Sequence, residues 1–168
     1  FSRKKSRLLF SILLANHPNP VHEEELIDVL LSGKQVNKPK SNIRTIASSV
    51  RKSLLQDSEG PTSYLLYSNS MYSLNIPKHS SVDFMEIDEL SQRIIDNKLT
   101  ANTVSERDVH RIKAVLDLYQ GDFMPEYRFE EFTAVVRERT KNQYLHMLSL
   151  LLEYLLHMRD YALAEKYV

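Results

Sequence analysis

One stretch narrows what this chain can become more than any other. Between Ser41 and Ile76 a basic amphipathic helix leads directly into a short aromatic hairpin. Ile43, Ala47, Val50 and Leu54 recur at helical spacing, so one face of the helix over 41–55 points at a core. The other face carries Arg44, Thr45, Ser48, Ser49, Arg51 and Lys52, small or cationic groups that approach phosphates and base edges without a bulky obstruction. A solvated amphipathic face fits those residues about as well; the segment that follows tips the balance. Residues 62–67 and 71–76 are strand-like and are joined through Ser68, Asn69 and Ser70, with Asn69 a turn former. Pro77 closes the unit.

Two helices precede this pair. Residues 3–15 place Leu8, Leu9, Ile12 and Leu13 inward, and Asn16-His17-Pro18-Asn19-Pro20 ends the run because proline cannot continue a helix. Residues 23–31 form a shorter helix on a stripe of Leu26, Ile27, Leu30 and Leu31, and Glu23, Glu24 and Glu25 suit the positive end of its dipole. Ser32-Gly33 stops it, residues 34–40 are a polar connection carrying Pro39, and Ser41 or Asn42 is the expected N-cap of the third helix. Three helices and a two-stranded ribbon predict a winged helix-turn-helix over residues 1–78.

Net charge is zero, but the zero conceals a division. Residues 1–80 hold 11 cations against 6 acids, a charge of +5, and residues 81–168 hold 11 against 16, a charge of −5. Charge asymmetry between halves points to nucleic-acid binding by the basic one, while phosphates repel the acidic one.

After Pro77 the pattern is helical only. A helix over 83–97 carries Phe84, Ile87, Leu90, Ile94 and Ile95 on one side with Asp83 as its cap. A helix over 105–119 opens on Ser105-Glu106-Arg107-Asp108, the shape of a capping box, with Gly121 ending it and Pro125 marking a turn. A long helix over 130–157 offers Phe132, Val135, Val136, Leu145, Leu148, Leu152, Leu155 and Leu156 as its core stripe. Arg159-Asp160 is a break, and residues 161–168 begin a further helix with Leu163, Tyr167 and Val168 to bury. That unfinished helix, and a first residue other than Met, lead us to expect a piece of a longer chain in which more helical pairs stack beyond Val168.

Several function classes are set aside. The most apolar stretch, 145–156, is interrupted by His146, Ser149, Glu153 and Tyr154, so no membrane span is expected. The first residues lead into an amphipathic helix rather than a cleavable apolar segment. Zero cysteines exclude disulfides and thiolate metal sites and fit a reducing cytoplasm. The six histidines form no zinc-type pair with a nearby carboxylate, and no nucleophile elbow or phosphate-cradling glycine loop occurs. No metal, no cofactor and no catalytic residue is expected.

The order of elements resembles the SARP family of bacterial transcription activators. Ser2-Arg3-Lys4-Lys5-Ser6-Arg7-Leu8-Leu9, followed by the segment from His17 to Leu26, is similar to that family's first two helices. Asn42-Ile43-Arg44 with Val50-Arg51-Lys52-Ser53-Leu54 is similar to its recognition helix, Tyr72-Ser73-Leu74 to its wing, and Val82-Asp83-Phe84 to the junction with its helical domain. The stretch from Leu118 to Pro125 resembles the family's Tyr-x-Gly element, and Arg159-Asp160-Tyr161 with Ala164 a tetratricopeptide turn.

The resemblance implies a mainly α protein: an OmpR-like winged helix-turn-helix over 1–78, then an all-helical, tetratricopeptide-like bacterial transcriptional activation domain over 79–168. It implies a cytoplasmic bacterial regulator that binds double-stranded DNA as a homodimer and contacts RNA polymerase. The helix over 41–55 would enter the major groove, with the hairpin over 62–76 as wing. Thr45, Ser48 and Ser49 would then reach base edges, Arg44, Arg51 and Lys52 phosphates or guanines, and Asn42 would belong to the same DNA-binding surface. Lys38 and Lys40 would meet the backbone, and Ser68, Asn69 and Ser70 the adjacent groove. Lys4, Lys5 and Arg7 have a weaker claim. A serine-rich wing and zero net charge favour a second reading, a protein-interaction module whose winged helix no longer reads DNA.

Overall fold

The computed structural model of the protein describes residues 4–32, 37–55, 64–77 and 80–168, and the chain divides into two compact units, Phe1–Ser80 and Ser81–Val168. The expected loop over 56–61, the first two residues of the expected first wing strand, and Gly33 with residues 34–36 lie outside the described residues.

In the first unit, α1 (Lys4–Asn16), α2 (Glu23–Leu31) and α3 (Pro39–Leu55) pack together, with α3 against both of the others. Leu9, Ile12 and Leu13 of α1, Leu26, Leu30 and Leu31 of α2, and Ile43, Ala47 and Val50 of α3 are buried, as their spacing predicts. The third helix starts earlier than expected. Pro39 and Lys40 belong to its first turn, and the Asn42 N–H already donates to the Lys38 carbonyl at 3.2 Å. Proline at the first helical position is preorganised and lacks only an N–H that has no helical partner there. Ser41 and Asn42 are therefore helical residues and not caps.

The wing is part of a three-stranded sheet and not a bare ribbon. A strand β1 (Val21–His22) pairs antiparallel with β3 (Met71–Leu74), which pairs with β2 (Leu65–Ser68), in the order β1-β3-β2. Two residues are too few to show an alternating pattern, so β1 was not legible. Because Ser68 pairs with Met71, the hairpin loop is Asn69-Ser70 alone, and their φ angles of 50° and 60° are those of a primed two-residue turn. Leu65 and Leu74 face the core with Tyr72, whose ring lies 4.6 Å from that of Tyr67.

The second unit is helical among its described residues. The helices α4 (Asp83–Asp96), α5 (Glu106–Leu116), α6 (Glu131–His157) and α7 (Tyr161–Lys166), with a short 3₁₀ turn Pro125–Tyr127, enclose one core. Ile87, Leu90, Ile94, Val109, Ile112, Val115, Met147, Leu150, Leu151 and Leu155 fill it. The capping box of α5 is present as expected, with Ser105 and Asp108 bonding each other's backbone N–H.

Other expectations for this unit are corrected. Val82 flanks α4, and Asp83 is its first helical residue, accepting the Phe84 N–H at 2.8 Å. Ile95 is 55% exposed. α5 ends at Leu116, well before Gly121, and Tyr119 beyond it stacks on Tyr144 at 4.3 Å. On α6 the buried line is Thr133, Val136, Thr140, Met147, Leu150, Leu151 and Leu155, whereas Val135, Leu145 and Leu156 are exposed. Val136 and Leu155 of the expected stripe are buried, and Leu148 and Leu152 pack against the core. The seam also takes in two threonines in the first half of α6, which a stripe read from apolarity alone passes over. Thr133 is satisfied there by the carbonyls of Tyr127 and Glu130 at 2.8 and 2.9 Å. Leu163 and Tyr167 pack against the core, but Val168 is 98% exposed.

Candidate nucleic-acid interface

Burial of Ile43, Ala47 and Val50 fixes the rotation of α3, so the opposite face is turned to solvent. Ser41, Arg44, Thr45, Ser48, Ser49 and Lys52 line one shallow depression along that face. Ser41 is the member that the sequence reading left out. Lys38, Arg44 and Lys52 are exposed and form no ion pair among the described residues. They are the uncommitted cations of this surface.

Hydroxyl chemistry on α3 has a direction. Thr45 Oγ1 donates to the Ser41 carbonyl at 3.0 Å, Ser49 Oγ to the Thr45 carbonyl at 3.2 Å, and Ser53 Oγ to the Ser49 carbonyl at 3.1 Å. Asn42 spends an amide hydrogen in the same way on the Lys38 carbonyl, at 3.2 Å. A hydroxyl has a single hydrogen, so Thr45 and Ser49 present only lone pairs outward. The face thus combines acceptors from the hydroxyls with donors from Arg44 and Lys52.

Two of the expected cations are committed to the fold. Arg51 is half-buried, and its Nε donates to the Leu65 carbonyl at 3.0 Å, tying α3 to β2. Lys40 places Nζ 2.7 Å from Glu23 Oε1, and the Glu23 side chain is only 2% exposed. The Tyr67 hydroxyl donates to the other carboxylate oxygen at 3.2 Å. Lys40's hydrogen bond, backed by that of Tyr67 and by the field of Lys40 and Arg44, holds the Glu23 carboxyl below its ordinary range despite burial. Glu23 in turn raises Lys40.

A lysine in the first turn of a helix faces the positive end of the dipole, so Glu23 and not helix stability accounts for its position. The dipole explanation of Glu23 itself was incomplete: burial and two side-chain partners set it apart from Glu24 and Glu25, which are exposed. No periodicity or spacing rule links Glu23 to Tyr67, which are 44 positions apart.

The remaining expected residues sit at the hairpin. Ser68 and Asn69 are exposed, and Ser70 is half-buried with its carbonyl accepting the Glu23 N–H at 2.8 Å. From Tyr64 to Ile76 the hairpin has no cation, and the exposed side chains Leu66 and Met71 lie on its outer face. Among the described residues no group of three or more His, Asp or Glu is placed to hold a metal ion, and no helix is long and apolar enough to cross a membrane.

No protein-family model matches the sequence, and neither does any curated protein. Among solved structures, Mycobacterium tuberculosis EmbR in complex with a low affinity phosphopeptide superposes with a TM-score of 0.74 at 19% identity. The match covers 96% of this chain, which spans 42% of the EmbR chain. The protein therefore shares its fold with that part of EmbR, a winged helix-turn-helix followed by a helical bundle.

Proposed function

We propose that this chain is a sequence-specific, DNA-binding transcription regulator of the SARP type, acting as an activator. Its α3 enters the major groove of duplex DNA with the hairpin as wing. The observation that carries the reading is the outer face of α3, where two uncommitted cations flank a line of small hydroxyls above a buried apolar face. A helix of that width and chemistry fits the major groove, and Arg44 and Lys52 supply the phosphate or guanine contacts. Thr45 and Ser49, offering lone pairs, accept from the exocyclic amines of adenine or cytosine. Lys38 lies just ahead of the helix, where the DNA backbone would pass. The acidic helical unit stays clear of phosphate and serves dimerisation, signal reception or contact with RNA polymerase. A bacterial cytoplasm is the matching compartment.

Binding measured over several salt concentrations tests this directly. DNA reading predicts a steep negative slope of log K against log salt, which Arg44→Ala with Lys52→Ala flattens. A flat line in the unsubstituted protein counts against it.

The wing favours a second reading, a protein-interaction module. Its hairpin carries no cation and exposes Leu66 and Met71, a surface better suited to protein than to phosphate. Salt-independent retention of a protein partner, with no DNA selected from a random pool, supports that reading.

A further inference from the structure

Glu23 stands where three elements of the first unit meet. Its backbone N–H donates to the Ser70 carbonyl in the hairpin turn at 2.8 Å. Its carboxylate takes Lys40 Nζ at 2.7 Å from the first turn of α3 and the Tyr67 hydroxyl at 3.2 Å from β2. We propose that Glu23 is the positioning residue of the DNA-reading surface, fixing the spacing and angle between the wing and the start of α3. This inference rests on the reading of α3 as the groove helix.

A carboxylate buried to this degree persists only with its partners in place, because an unpartnered buried charge is strongly unfavourable. The joint therefore has one geometry rather than several. It also fixes a turn that resists its own conformation. Asn69 and Ser70 are both left-handed, at φ 50° and 60°, and the Glu23 N–H holds the second of them from outside. A helix and a wing that touch neighbouring parts of one duplex must keep their mutual placement, since phosphate contacts set the register in which bases are read. Pairing has an electrostatic result too: Lys40 neutralised by Glu23 adds no net attraction for phosphate.

These two roles predict opposite effects when the carboxylate is removed. In Glu23→Gln the backbone N–H still holds Ser70, but the ion pair to Lys40 is lost and the Tyr67 hydroxyl meets a neutral amide. The placement of wing and α3 therefore loosens, and binding to a cognate site, obtained by selection from a random pool, falls about tenfold. Lys40 is released at the same time, so binding to a mixed-sequence duplex strengthens and the salt slope steepens by about one. Glu23→Gln with Lys40→Met abolishes the steepening and keeps the cognate loss. Tyr67→Phe lowers the cognate-to-mixed ratio by about threefold without changing the slope.

The assay is fluorescence anisotropy on the whole chain, with thermal melts verifying that each variant is folded. A purely structural role lowers binding to both duplexes by one common factor, and that result overturns the proposal. Should Glu23→Gln not fold, Tyr67→Phe and Lys40→Met read the two arms separately, and an unchanged ratio in both overturns it equally. Absence of any DNA binding by the unsubstituted protein is a distinct result, which removes the groove reading and this inference with it.

Discussion

Each unit places a carboxylate in the first turn of a helix, and the two carboxylates work over different distances. Asp108 of α5 bonds the Ser105 hydroxyl and backbone three residues away, and Arg93 of α4 at 3.0 Å. Glu23 of α2 reaches Lys40 and Tyr67, 17 and 44 positions along the chain. The first is mainly a local device that terminates a helix; the second is a joint between elements. Polar side chains in the second unit otherwise form links at the rim of an apolar core, such as Arg111 with Glu89 at 2.9 Å and Gln143 with Asp88 at 2.7 Å. In the first unit Glu23, Lys40 and Arg51 tie α3 to α2 and to the hairpin. Charge in the basic half thus divides into groups committed to the scaffold and groups left to meet a partner.

That division can be broken in several ways. The largest effect is expected from the inner face of α3. Ile43 is fully buried, and Ile43→Ala should cost about 2–5 kcal/mol, read by urea unfolding. A loss below about 0.5 kcal/mol would mean that α3 is not rotated as described.

On the outer face of the same helix, Arg44→Ala with Lys52→Ala should leave stability within about 0.5 kcal/mol. DNA affinity should nonetheless fall by about 10–100-fold, with the salt slope reduced by roughly 1.8. Equal affinity in the double variant would assign these cations to the solvated face.

In the second unit, Ser105→Ala removes one arm of the capping box and should cost about 1 kcal/mol in a thermal melt, without altering DNA binding.

The smallest effect is expected from pH. The folded protein holds Glu23 below its ordinary value of 4.5, so on acidification the unfolded chain takes up this proton first. The stabilisation is complete above about 4.5 and is lost as pH falls through the lowered folded value. At the alkaline end Lys40, raised above 10.5, contributes below that value and is lost as pH rises through its folded value. Melts against pH should show the acid decline reduced in Glu23→Gln. An identical acid limb in both proteins would remove Glu23 from the linkage.

Local signals carried well. The stripes of α1, α2 and α3, the capping box at Ser105 and the turn at Asn69 were legible because each depends on neighbours within four residues. The stripe of α6 was legible at Val136, Leu148, Leu152 and Leu155 but not where Thr133 and Thr140 occupy its seam while Val135 and Leu145 face outward, and only packing against α4 and α5 selects that rotation. β1 escaped because its two residues become a strand only through pairing with β3. The outer face of α3 was anticipated from the spacing of its core positions, with Ser41 left out and Arg51 included although it is half-buried. What the spacing did not contain was that two cations on and beside it, Lys40 and Arg51, each close a link inside the unit.

From the sequence alone came the mainly helical class, the basic and acidic halves and the solvent-facing side of the third helix, because periodicity and composition act over a few residues at a time. Tertiary structure decided the third strand, the rotation of α6 and the commitment of Glu23, Lys40, Tyr67 and Arg51. Those depend on which distant groups come within about 3 Å of one another, and a buried charge or carbonyl accepts only the partners that the packed chain delivers.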